Sequence, residues 1–124
     1  MSARQTHISH PVVAININKT YRYGINAEDL YDCTRGIWRL SKERAEKAQY
    51  AFSVYQGVIK EVYKIDRWFP AGSTTYVRRR FKPINMLERY EFVGKLASDE
   101  IREKYVGREM PVRQSQNPIR YFNF

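Results

Sequence analysis

The stretch "YAFSVYQGVIKEVYKIDRW", residues 50–68, decides the fold. Tyr50–Tyr55 and Val58–Trp68 are rich in β-branched and aromatic residues, and only Gln56 and Gly57 separate them. Two residues suffice for nothing but a tight reversal, and the glycine tolerates the positive φ that such reversals use. The stretch therefore reads as a β-hairpin of two long strands. A period-two register places Tyr55 opposite Val58, Val54 opposite Ile59, Ser53 opposite Lys60 and Phe52 opposite Glu61. One face then carries Tyr50, Phe52, Val54, Ile59, Tyr63 and Ile65, with Glu61 in its middle. An unpaired charge in a core is very unfavourable. Three readings satisfy Glu61: a buried pair with Arg35, a bulge that turns it outward, or a pocket in which it accepts from the exocyclic amine of a base.

Working outward, "VVAINI" (12–17) reads as a first strand, and "ERYEFVGKLA" (88–97) and "STTYVRRRFK" (73–82) as further antiparallel candidates. "IWRL" (37–40) is a short extended piece, and "MPVRQ" and "IRYFNF" are short strand signals near the end of the sequence. Three helices are announced by their caps. Asn26 precedes "AEDLYDC" with Glu28 and Asp29 at the positive end of the dipole, and Gly36 stops it. Ser41 precedes "KERAEKAQ", and Ser98 precedes "DEIREKY" with Gly107 just beyond. Most loops between strands are too short for a parallel crossover. The expectation is an α+β fold: a small, mainly antiparallel curved sheet or barrel with two or three short helices. Residues 1–11 read as a flexible N-terminal arm and 12–124 as a single domain.

The 124 residues carry 22 Lys and Arg against 13 Asp and Glu, a net charge of +9. Fourteen of those cations are Arg, whose planar fork grips phosphate and stacks on bases, so an anionic partner, nucleic acid, is favoured over a merely soluble basic surface. Cys33 is the single cysteine, which excludes an internal disulfide and points to a reducing compartment. No apolar run approaches the roughly 20 residues of a membrane span, and no signal-peptide core is present, so a cytoplasmic location is expected.

Catalytic patterns are sparse. His7 and His10 fall in the N-terminal arm, and one cysteine cannot build a zinc ligand set, so no metal or cofactor is expected. No glycine-rich phosphate loop occurs, and no Glu is followed two positions later by Lys, as nuclease signatures would require. The isolated chain reads as a non-enzyme. The basic clusters say more. Arg78, Arg79, Arg80 and Lys82 crowd into "RRRFK", which suits either a solvated edge strand or a track for phosphates. Arg35, Trp38 and Arg39 flank Gly36, and Trp38 suits either the core or a platform for a base.

The strings "LYDCTRGIWRLSKERAEKAQYAFSVYQGVIKEVYKIDRWFPAG", "FVGKLASDEIREKYVG" and "QNPIRYFN" together resemble an uncharacterised domain found as the C-terminal part of certain GIY-YIG nuclease relatives and as a stand-alone small protein. The resemblance covers roughly residues 12–124, and its most specific pieces are Thr34-Arg35-Gly36 with Trp38, the Gly57 hairpin through Trp68, and Asn117-Pro118-Ile119. "YGI" at 23–25 is not the nuclease motif, so cleavage is not implied. The order of elements also resembles PUA-like small barrels such as ASCH and EVE modules, which implies binding of RNA or a base between barrel and helices.

These readings converge on a nucleic-acid-binding accessory module. Arg39, Arg78, Arg79, Arg80 and Lys82 would hold phosphates, Arg35 and Trp38 would form a pocket mouth at the turn made by Gly36, and Glu61 or Asn117 would read a base edge. Two alternatives stand beside it: a protein-interaction or inhibitor subunit that touches no nucleic acid, and a small enzyme acting on nucleic acid or nucleotides.

Overall fold

The computed structural model describes residues 7–74, 88–111 and 117–124. In chain order the elements are β1 (Val12–Asn16), α1 (Ala27–Arg35), β2 (Trp38–Arg39), α2 (Lys42–Ala45), β3 (Tyr50–Tyr55), β4 (Val58–Pro70), β5 (Arg89–Leu96), α3 (Asp99–Tyr105) and β6 (Ile119–Phe122). The six strands form one curled, half-barrel sheet in the order β2-β5-β4-β3-β1-β6. The α+β class with a small curved sheet is as expected from the sequence. All pairings are antiparallel except β1 with β3, which makes the sheet mixed. The parallel pair is possible because α1, β2 and α2 all lie between its strands and supply the long crossover that parallel pairing needs.

The hairpin turn follows from its residues. Gln56 at φ 48° and Gly57 at φ 79° both adopt positive φ, the two-residue turn whose twist matches the flanking strands. The expected register survives for two pairs only, Tyr55 with Val58 and Val54 with Ile59. A bulge then inserts Lys60, so Ser53 faces Glu61 and Phe52 faces Val62. An extra residue reverses the inside–outside alternation beyond it. Ile59 therefore shares the first hydrophobic cluster with Val62, Tyr50, Phe52 and Val54, under Tyr105 of α3. Tyr63 falls in the second cluster with Val13, Ala51, Trp68 and Phe92, and Ile65 packs against it. The single face running from Ile59 to Ile65 is thus corrected to two faces, both buried.

The helix caps are in place. The side chains of Asn26, Ser41 and Ser98 accept from the backbone N–H groups of Asp29, Arg44 and Ile101. The helix after Ser41 is shorter than its sequence pattern, ending at Ala45. The arm expected over residues 1–11 is anchored from Ile8 onward: Ile8 is 6% exposed in the first cluster. His10 is held too, its Nδ1 lying 2.6 Å from the Tyr105 hydroxyl. The third antiparallel strand expected at 73–82 falls almost wholly outside the described residues.

Helix α1 closes the side of β5 that β2 leaves open. The Gly94 N–H donates to the Tyr31 hydroxyl at 2.9 Å, and Arg35 Nη1 donates to the Phe92 carbonyl at 3.3 Å. Four helical residues rise about 6 Å and two strand residues about 6.6 Å, so positions 31 and 35 match alternate groups along the strand. Side chains stand where a neighbouring strand would otherwise pair.

Candidate nucleic-acid interface

The residues around Gly36 build the interior rather than a mouth. Arg35 is 3% exposed. Its Nε lies 3.3 Å from Asp32, and its Nη1 donates to the Thr74 hydroxyl at 2.7 Å and stands 3.9 Å from Glu91. Glu91 is fully buried and accepts from the backbone N–H groups of Gly72 and Thr74 and from the Thr74 hydroxyl. One cation between two buried carboxylates satisfies all three groups, and it leaves Arg35 turned away from any external phosphate. The half-buried Trp38 donates its indole N–H to the Thr34 carbonyl at 2.7 Å, which satisfies one of the orphan carbonyls at the end of α1. Gly36 ends α1 with φ −174°, extended backbone rather than the left-handed conformation that needs glycine.

Glu61 takes a different partner from the one its sequence position suggests. Because the Lys60 bulge rotates it, its carboxylate meets Arg102 of α3, with Nε at 2.8 Å and Nη2 at 3.1 Å. Arg35, the partner expected from the sequence, is engaged elsewhere. Glu61 and Arg102 border a cleft of about 380 Å³ that also involves Tyr31, Tyr63 and Leu96. Burial, and then the Glu61 charge, push the Tyr63 phenol well above its ordinary pKa and keep it neutral. Asn117 is exposed at the start of β6, and its side-chain oxygen accepts from the Ile119 N–H at 2.9 Å. Strands β1 and β3 separate β6 from β4, so Asn117 and Glu61 do not meet in one site. Arg39 is exposed and stands opposite Arg89 across β2 and β5. Its nearest approach to Glu88 is 3.5 Å between two largely solvated side chains. Arg78, Arg79, Arg80 and Lys82 lie outside the described residues.

The described cations that do assemble come from positions far apart in sequence. Lys64 of β4 faces Lys95 of β5 directly, and both are exposed. Beyond Ile65 a second bulge inserts Asp66, so that Arg67 pairs with Val93. Val93 and Lys95 are two apart, so the bulge returns Arg67 to the face of Lys64 and Lys95. Without it, Arg67 would point to the other side. None of the three cations forms an ion pair among the described residues, and the Arg67 guanidinium lies 6.0 Å from the Phe69 ring centre on the same face. Like charges directly opposite across two strands disfavour the fold by about 0.2–1 kcal/mol. Neither lysine has a carboxylate within ion-pair distance among the described residues. Residues 64 and 95 carry no local signature in sequence; only the strand register joins them.

Among the described residues no group of three His, Cys, Asp or Glu could hold a metal, and no helix is long and apolar enough to cross a membrane. Cys33 is free and half-buried on α1. No family model, no curated protein and no solved structure matches this chain.

Proposed function

We propose that this chain binds nucleic acid across the β4–β5 face, with Lys64, Lys95 and Arg67 on successive phosphates and Arg39 further along the sheet. The observation that carries this reading is the directly opposed Lys64–Lys95 pair, with no ion-pair partner among the described residues and with Arg67 added to its face by the Asp66 bulge. A phosphate backbone supplies the missing anions at the spacing of neighbouring strands, and displaced counterions add the entropy that drives such binding. The net charge of +9 extends the attraction beyond the binding face and speeds encounter.

Salt-titrated binding to single- and double-stranded DNA and RNA tests the reading. The triple variant Lys64→Ala, Lys95→Ala, Arg67→Ala should fold normally, since all three side chains are exposed. Its affinity should fall on every sequence, and its slope against log salt should flatten by about 0.7 to 0.9 for each phosphate that is no longer neutralised. An unchanged slope removes this face from the interface. Binding that resists salt in the unaltered protein points instead to a protein partner docking through apolar surfaces.

A further inference from the structure

We infer that the cleft between α1 and α3 docks an extended peptide segment, which adds its backbone to the outer side of β5 at Leu96. Along that side the strand has a succession of partners. β2 pairs with Arg89 and Tyr90. Arg35 then serves the Phe92 carbonyl and Tyr31 the Gly94 N–H, from positions about one helical turn apart. The next step along α1 is residue 27 and the next along β5 is residue 96, because four helical residues match two strand residues in length. Residue 27 is alanine. Its methyl group can neither donate nor accept a hydrogen bond, so the series of side chains that stands in for a strand stops short of Leu96, the last residue of β5.

The Leu96 main chain faces this gap. The Ala97 N–H turns inward to the Val62 carbonyl at 3.0 Å, and the Gly94 N–H turns outward to Tyr31. Strand residues alternate, so the N–H and C=O of Leu96 point outward as those of Gly94 do. Here lies the cleft of about 380 Å³, within the size range of ligand sites. Leu30, Tyr31 and Tyr63 contribute to its walls, and the Leu96 side chain is 48% exposed beside them.

These groups select a peptide. An outward N–H and C=O on one strand residue form half of a ladder rung, and a peptide residue carries the complementary acceptor and donor at matching spacing. Residues paired in this way place their side chains on the same face, so the docked residue sets its side chain beside Leu96 and is large and apolar. The Tyr31 hydroxyl accepts from Gly94, which leaves its own proton for a second carbonyl of the segment. A phosphate fits the cleft poorly: Glu28 and Glu61 match Lys95 and Arg102 in number around it, so it carries no net positive charge. The occupant is therefore a neutral, extended segment, distinct from the polyanion on the cationic face.

The test is a titration of the isotopically labelled protein with a blocked alanyl-leucyl-alanine peptide, read at the backbone amides by nuclear magnetic resonance. The Leu96 amide should shift to saturation and its hydrogen exchange should slow. Methylating the leucine nitrogen of the probe removes the donor for the Leu96 carbonyl and should weaken binding roughly tenfold. Leu96→Ala should weaken it roughly five- to tenfold by loss of apolar contact, and its melting temperature should fall little because the side chain is 48% exposed. Ala27→Gln, at an exposed position, puts a side-chain amide where the peptide backbone lies and should abolish binding. A Leu96 amide that does not respond to the peptide overturns the inference, and so does equal binding of the methylated probe. A Leu96 amide that responds to oligothymidylate and not to the peptide overturns it in favour of nucleic acid.

Discussion

Arg102 clasps the Glu61 carboxylate with two nitrogens, and the clasp ties α3 to β4 across the edge of the first hydrophobic cluster. Glu61 also accepts from its neighbour's backbone, the Val62 N–H, at 3.1 Å. The Arg102 side chain is 35% exposed and that of Glu61 13%. This is a bidentate pair at the boundary of solvent, stronger than a loose surface pair and weaker than a buried one.

A double-mutant cycle of Glu61→Gln with Arg102→Met should therefore give a coupling of about 1 kcal/mol in urea unfolding. The same cycle between Glu61→Gln and Arg35→Met should be additive to within about 0.5 kcal/mol, since Glu61 pairs with Arg102 while Arg35 meets Asp32 and Glu91. A large Glu61–Arg35 coupling would restore the unbulged hairpin register.

Arg35 is where the fold is most vulnerable to a single polar change. Arg35→Met removes the guanidinium that meets Asp32 and Glu91, which are 1% and 0% exposed. Removing one partner from a buried charge cluster typically costs about 3–5 kcal/mol. Arg35→Lys should recover part of the loss, because a single ammonium restores the charge but not the several N–H directions that meet Asp32, Thr74 and Phe92. Equilibrium unfolding of both variants checks the order: unaltered protein, then Lys, then Met. If Arg35→Met unfolds within about 1 kcal/mol of the unaltered protein, as a roughly neutral change would, the buried cluster is not holding the fold.

Gly94 permits the second bulge. A Cβ built there would run into the Lys64 carbonyl oxygen and sit 3.3 Å from the Ile65 Cα, both of them backbone. Backbone cannot swing aside as a long side chain can, so Gly94→Ala should destabilise by about 1–3 kcal/mol. By shifting β5 against β4 it should also disturb the register that places Arg67 beside Lys64. Thermal melting and the salt slope of binding, measured together, should both change.

Local signals explain what is legible in the sequence. Asn26, Ser41 and Ser98 announce their helices because a cap acts within three residues of itself, and Gln56-Gly57 announces the hairpin because two residues leave no other geometry. The bulges at Lys60 and Asp66 have no such marker. Neither residue type demands a bulge, and each is imposed by the strand across from it, so the face assignment fails beyond Ile59. Arg35 stands out for sound reasons, being a cation between a helix end and a tryptophan. Its fate is decided by Glu91, fifty-six positions later, whose burial only the assembled sheet reveals. Lys64 and Lys95 escape notice because a contiguous run such as "RRRFK" is conspicuous in sequence and a cross-strand pair is not. Trp68 reads as the end of a strand, whereas β4 runs on to Pro70.

The position of β1 has a kinetic consequence. It lies between β3 in the middle of the chain and β6 at its far end, pairing Val12 with Tyr50 on one side and with Phe122 on the other. The Asn123 side chain then donates to the carbonyls of Ile8 and His10, at 2.6 and 2.9 Å. The β3–β4 hairpin can form by itself in microseconds, but β1 gains its second neighbour only after almost the entire chain has closed on itself. Such long-separation pairing places refolding toward the slow, millisecond-to-second end for a domain of this size, with the docking of β6 as the closing step.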